Sequence, residues 1–286
     1  MPTFSFWEVK MKRIIVADSS CDLTHEVSEG LACAPLKIRT CEREFTDDSS
    51  LDVSKMTEYL ESFSGKSSTA CPSPTEFYEA FSDADEVFCV TITSNLSGSF
   101  NAARVAAQKY ADEHPSRRAH VIDTLSVGPE SVLIIEKINE LWKSGESFDS
   151  VKEKITEYNK KTRLIFSLES MKNLANNGRV SHIAAKMAGI LGIRAIGRAS
   201  DGGVLDMTDK VRGEANTIAT IYKNMLAEGY SGGKVRIHHA LNPEGAKKLD
   251  ATVKNDYPSA DTELRASGGL CSFYAERGGL LVGFET

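Results

Sequence analysis

The sequence predicts an α/β protein of two domains, a Rossmann-like parallel-sheet domain followed by a second α/β domain with a mixed or antiparallel sheet. Short β-branched runs alternate with helix-spaced segments through the first half of the chain, the signature of a doubly wound sheet. After residue 155 that alternation becomes irregular and a hairpin turn, Asp201-Gly202-Gly203, appears. The length of 286 residues, with 41% hydrophobic and 26% charged, is enough for two packed cores and wrong for a disordered chain.

Residues 13–17, 86–92 and 119–123 read as buried parallel strands, each followed by a polar loop. A helix starting at Ser73 is signposted by a capping serine, Pro74 at the first helical position and Glu76 completing the capping box. Residues 99–112 place Phe100, Ala103, Ala107 and Tyr110 at helical spacing, and residues 130–143 do so with Leu133, Ile134, Ile138 and Leu141. Residues 147–161 form an amphipathic helix through Val151, Ile155 and Tyr158. Beyond the boundary come a strand at 163–168, two short helices separated by Gly178-Arg179, and strands at 193–199 and 204–207 flanking the hairpin. A helix at 211–228, a strand at 234–240, a helix opened by Asn242-Pro243-Glu244 and strands at 262–266 and 280–284 complete the chain. The resulting division is 12–155 and 156–286.

Composition narrows the partners. The formal net charge of −6 repels phosphate backbones, and Lys and Arg are dispersed, so nucleic acid is not expected. No apolar run approaches the length needed to span a bilayer. The first ten residues lack the pattern of a signal peptide, and Met11 offers a second start. Six cysteines without a C-x-x-C pair read as reduced thiols of a cytoplasmic protein. Motifs for phosphate loops, dinucleotide binding, nucleophile elbows and zinc proteases are absent, and no metal or cofactor is expected.

Three strand-end loops share one composition: Asp18-Ser19-Ser20-Cys21-Asp22, Thr93-Ser94-Asn95-Leu96-Ser97-Gly98-Ser99, and Asp123-Thr124-Leu125-Ser126-Val127-Gly128. In an open α/β sheet they converge beyond the carboxyl ends of the strands, where ligands bind. Each could serve only as a helix cap, but together they suggest an edge of hydroxyls able to hold an anion without lysine. Thr69, just before Cys71-Pro72-Ser73, adds another hydroxyl. Cys71 has no neighbouring base to activate it. Residues 181–191 carry Ile183, Met187, Ile190 and Leu191 on one stripe beside small residues, a pattern that suits core packing and also leaves room for a slender apolar ligand. His238 and His239, adjacent on a strand, point to opposite faces, so at most one can serve a site.

Taken in order, these segments resemble the DegV family. The matching elements are Asp18 to Asp22, Thr69-Ala70-Cys71-Pro72-Ser73, Ser94 with Leu96-Ser97-Gly98-Ser99, Asp123 to Gly128, Gly178-Arg179-Val180-Ser181, Asp201-Gly202 and Lys210-Val211-Arg212. The resemblance implies an EDD-type fold, bacterial origin and a long-chain fatty acid lying in an apolar tunnel between two domains. It implies further that the protein is not itself an enzyme but presents the acid's carboxylate to a separate fatty acid kinase subunit. On that basis Thr69, Ser94, Asn95, Ser97 and Arg212 are expected at the carboxylate, and Ile183, Met187, Ile190 and Leu191 along the acyl tunnel. Arg179 is expected where the partner docks. Tyr274 stands where family members carry a histidine. Transient contact with a membrane surface stays open. The rival reading is a hydrolase of acyl esters or acyl phosphates, with Ser94 or Ser97 as nucleophile and His238 or His239 as base.

Overall fold

The computed structural model describes residues 11–26, 30–180 and 192–286. The expected helix at 181–191, with Ile183, Met187, Ile190 and Leu191, and the first ten residues lie outside the described residues.

The first sheet is parallel, in the order β2-β1-β6-β7, from β1 (Arg13–Asp18), β2 (Leu31–Ala34), β6 (Glu86–Thr91) and β7 (Arg118–Asp123). Its strands are buried on both faces, which explains their continuous apolar runs. Ile14, Val16, Val87 and Cys89 face α2 (Pro74–Phe81) and α3 (Ser99–Glu113), where Phe77, Phe81 and Tyr110 fill the layer. Ile15, Ala17, Phe88 and Val90 face the opposite way, toward α4 (Pro129–Lys143) and α5 (Phe148–Asn159). Helix α5 runs through residue 155 and packs Val151 and Ile155 on this first sheet.

The second sheet has six strands in the order β10-β9-β8-β13-β11-β12 and is mixed. It comprises β8 (Thr162–Leu168), β9 (Ile193–Ala199), β10 (Leu205–Arg212), β11 (Val235–His239), β12 (Thr262–Ala266) and β13 (Leu280–Glu285). Only the β11–β12 pair is parallel; the other four pairings run antiparallel. One face, with Ile165, Ile196, Ile237 and Val282, is covered by α7 (Glu214–Ala227) and α8 (Pro243–Asp256). The expected helix at 211–228 begins later because β10 continues to Arg212 as the partner of Ile193.

Helix α4 joins the two halves. Its residues Pro129 to Ile135 are all buried, because it packs on the first sheet and also against β13, β11 and β8 of the second. At Gly283 of β13 a Cβ would lie 2.5 Å from the Glu130 amide nitrogen, so glycine is what lets the helix end approach the sheet. Glu130 itself accepts a hydrogen bond from Thr162 Oγ1 at 2.7 Å, tying α4 to the start of β8.

A smaller layer, not anticipated from the sequence, covers one side of this joint. Strands β3 (Lys37–Arg39), β4 (Glu44–Thr46) and β5 (Ser68–Ala70) form an antiparallel sheet in the order β4-β3-β5. With α1 (Val53–Ser62) they enclose Ile38 and Met56 against Phe273 of α9 (Gly269–Ala275), a helix from the far end of the chain.

Burial pushes the Glu130 carboxyl up to about 7. A folded-state pKa above the unfolded value means that folding takes up a proton at acid pH. The group's contribution to stability is therefore present below about pH 4.5 and is lost as pH rises through 7. Denaturant unfolding of wild type and Glu130→Gln at pH 5 and pH 8 should show the wild type losing about 2 to 3 kcal/mol relative to the variant. Parallel pH dependence of the two proteins would contradict this assignment.

Candidate functional site

The face of the second sheet not covered by α7 and α8 looks toward the first half of the molecule. Leu164, Phe166 and Leu168 alternate along β8 onto this face, and Leu281, paired with Phe166, continues it on β13. These side chains floor a cavity of about 300 Å³. Leu36, Ile92, Leu96, Val127 and Leu270 supply apolar walls from the other side, and Leu205 of β10 and Leu174 of α6 (Lys172–Asn176) close the flanks. A volume at the lower end of the range for small-molecule sites, lined mostly by carbon, suits an apolar ligand. Among the described residues, the only charged side chain lining it is Arg179.

The polar groups cluster at one end. Thr69 lies on β5 opposite Ile38, in the layer outside the main sheets, and its Oγ1 is 2.8 Å from the Tyr274 hydroxyl of α9. Only one hydrogen is shared in this pair, so the other hydroxyl hydrogen is free for an acceptor. Burial pushes the Tyr274 phenol up, which keeps it a donor at neutral pH. Just after Thr69, Ser73 caps α2 with Glu76 in a reciprocal box, so the start of that helix also fixes the chain immediately before it. Arg179 donates Nε to the Leu96 carbonyl at 3.1 Å and Nη1 to the Asn177 carbonyl. Ser97 completes this end, with Oγ 3.2 Å from Ser99 Oγ.

Tyr274 reaches this position because α9 is anchored from the first half of the chain. Gly269 N and Leu270 N donate to the Asp47 carboxylate at 2.6 and 2.9 Å, and Gly268 N donates to Asp22 Oδ1 at 2.8 Å. The other oxygen of Asp22 is 2.7 Å from Nδ1 of the buried His238. Two carboxylates from one half thus satisfy three successive amides at the start of a helix in the other. Burial, only partly offset by these bonds, pushes Asp47 up to about 7.

The structure separates the expected site residues. Thr69, Ser97, Arg179 and Tyr274 line one cavity. Ser94 is exposed, with its amide on Asp123 Oδ1, and does not line it. Asn95 directs its amide group to the Gly202 carbonyl at 2.6 Å instead of into the cavity. Arg212 is exposed at the end of the edge strand β10 and is not a lining residue. Of the three hydroxyl-rich loops, the first binds inward: Asp18 accepts from Ile92 N and from Ser20, and Ser19 Oγ accepts from Leu36 N. The third gives the cavity only Val127. The apolar floor on β8 and β13 was not anticipated as a site because its residues read equally well as core.

The hydrolase arrangement is not formed. His238 is bonded to Asp22 and His239 Nδ1 accepts from Asn242 N at 3.3 Å, whereas Ser97 faces Ser99 and neither histidine lines the cavity. A general base must reach its nucleophile within hydrogen-bond distance, and no such serine–histidine pair exists among the described residues. Nor do the described residues gather three metal-ligating side chains.

A family model described as an uncharacterised protein family, DegV, matches residues 12–286. A DegV domain-containing protein of Streptococcus pneumoniae is 40% identical over 275 residues, covering 95% of this chain and 98% of its own. The fold is similar to that of the Streptococcus pneumoniae fatty acid kinase (Fak) B3 protein loaded with linoleic acid, with a TM-score of 0.94 and 39% identity over 96% of this chain and 99% of that one. It is similar too to a DegV family protein of Eubacterium eligens loaded with heptadecanoic acid, with a TM-score of 0.93, 41% identity and the same coverage.

Removing the phenol hydroxyl leaves Thr69 Oγ1 without its partner inside the cavity wall. Tyr274→Phe is therefore expected to cost about 1 kcal/mol in denaturant unfolding of the ligand-free protein, and Thr69→Val/Tyr274→Phe less than the sum of the single changes. Strict additivity would show that the two hydroxyls do not interact.

Proposed function

The chain belongs to the DegV family, and we propose that it binds a long-chain fatty acid in the cavity between its two halves and presents the carboxylate to a partner kinase subunit. The carrying observation is the polarity of the cavity: a carbon-lined interior that ends at the Thr69–Tyr274 hydroxyl pair, Ser97 and Arg179. An acyl chain of roughly 15 methylenes gains on the order of 12 kcal/mol from burial before the entropic cost of binding, so the head group needs few contacts. Neutral hydroxyls suffice for a single carboxylate, and they suit a chain whose net charge is −6.

In this reading the protein performs no chemistry alone. The Thr69–Tyr274 pair donates its one free hydroxyl hydrogen to the carboxylate and fixes its position. Arg179, half-buried at the same end, adds a positive charge near the head group and marks the surface where a kinase subunit would dock. Tyr274 takes the place of a histidine; its phenol donates a hydrogen bond but carries no positive charge near neutral pH. The site needs no cofactor. The six cysteines form no disulfide, which agrees with a reducing compartment such as the cytoplasm, and no described helix is long and apolar enough to cross a membrane.

Native mass spectrometry of the purified protein should show a mass increment matching one long-chain fatty acid, and delipidated protein should take up a labelled one. Protein that carries no acyl chain and takes none up would refute the proposal. Thr69→Val should weaken binding of the free acid by about 1 to 2 kcal/mol while leaving the methyl ester nearly unchanged, as read by displacement of a fluorescent fatty acid. Equal losses for acid and ester would remove Thr69 from the head-group site.

A further inference from the structure

The middle of the cavity floor is one aromatic ring laid on a glycine. Phe166 stands between Leu164 and Leu168 on β8, all three facing the cavity, and its partners on the neighbouring strands are Leu281 of β13 and Gly197 of β9. A Cβ at Gly197 would lie 2.5 Å from Phe166 Cζ and 2.8 Å from Cε2, so the outer edge of the ring rests where a side chain would otherwise stand. The φ of Gly197 is not positive, so space and not backbone conformation calls for glycine here. Ala195 and Ala199 share this face of β9 with Gly197 and carry only methyl groups, and none of the three lines the cavity.

The ring has one way to move. On its β13 side stands Leu281, packed in the same apolar cluster and confined at the start of α4, where a Cβ at Gly128 would already touch Leu281 Cδ2 at 3.4 Å. Along β8 the next side chains on this face, Leu164 and Leu168, are each about 7 Å away and fill the floor to either side. A ring displaced from Gly197 therefore turns into the cavity. Phe166 bounds the cavity between the ends of its floor, where it limits the cross-section of a bound chain and not its length. Among the described residues lining the cavity the only other aromatic is Tyr274, which belongs to the polar end.

We propose that Phe166 sets the shape of acyl chain this cavity accepts, admitting an unbranched chain and excluding a methyl-branched one, and that Gly197 is a positioning residue that keeps the ring down. The proposal rests on the fatty-acid reading of the cavity and adds the class of acid to it. An apolar pocket discriminates by shape, and one methylene too many changes affinity by roughly ten- to two-hundredfold. A cavity of about 300 Å³ bounded by packed side chains takes up a branch only by pushing those side chains from their rotamers. The small residues of β9 make Phe166 the point where this limit is set, because beneath its ring there is no second side chain larger than a methyl group.

The test compares palmitic acid with phytanic acid, whose backbone is that of palmitic acid with methyl branches spaced along it, as competitors for cis-parinaric acid on the full-length protein. The ratio of the two affinities cancels any change in affinity for the probe. Wild type is expected to prefer palmitic acid by at least about tenfold. Phe166→Leu removes Cζ and both Cε atoms, opens the space above Gly197, and is expected to reduce that preference by about tenfold. Gly197→Ala is expected to increase the preference by lifting the ring, and Phe166→Leu in the same chain to abolish the increase. A Phe166→Leu protein that discriminates as wild type does overturns the proposal, and so does equal binding of both acids by wild type. If wild type binds neither cis-parinaric nor palmitic acid, the fatty-acid reading itself fails and the proposal falls with it. A Cβ at Gly197 would also lie 2.4 Å from the Asp206 carbonyl oxygen of β10; should Gly197→Ala not fold for that reason, Phe166→Leu decides alone.

Discussion

The architecture depends on a buried polar joint between the two halves. Asp22 and Asp47 come from the first part of the chain and take the amides of Gly268, Gly269 and Leu270, which open a helix more than two hundred residues later. His238 closes the joint from the second sheet through Asp22. Buried carboxylates are costly unless paired, and here the cost is partly offset by charge-assisted bonds that this docking provides. The joint therefore fixes the position of α9, and α9 carries Leu270, Cys271, Tyr274 and Ala275 into the cavity wall.

Helix α4 supplies the apolar counterpart. Wedged between a parallel sheet and a mixed sheet, it buries side chains on nearly every face of its first two turns. The two sheets then cannot meet face to face, and the space beside the helix is left for the layer of β3, β4 and β5 to cover. A cavity at this joint has walls from at least four separated stretches of chain. Its polar end forms where the outer layer, α9, the segment around Arg179 and the loop after β6 meet.

Much of the fold was legible in the residues. The strands at β1, β6 and β7 are continuous apolar runs because both faces of their sheet are covered, and the Ser73-Pro74-Glu76 start of α2 formed as its capping chemistry requires. The outer layer was not legible. Its strands are three residues long, too short to show a period, and they exist because of pairing with one another. At the site, Thr69, Ser97, Arg179 and Tyr274 came together, whereas Asn95 and the serines at residues 19 and 20 bond to backbone carbonyls, amides or Asp18. A hydroxyl or amide in a strand-end loop has the same sequence signature whether it faces a ligand or a neighbouring loop.

The sequence by itself determined most strands of the two main sheets with the helices that cover them, the class of those sheets and the chemistry available at their edges, because periodicity, capping and turn residues act over a few neighbours along the chain. Only the tertiary structure decided which of those groups face the cavity. That choice rests on contacts such as Thr69 with Tyr274 and Asp22 with His238, whose partners lie more than two hundred residues apart, and nothing in the local chemistry of either residue names the other.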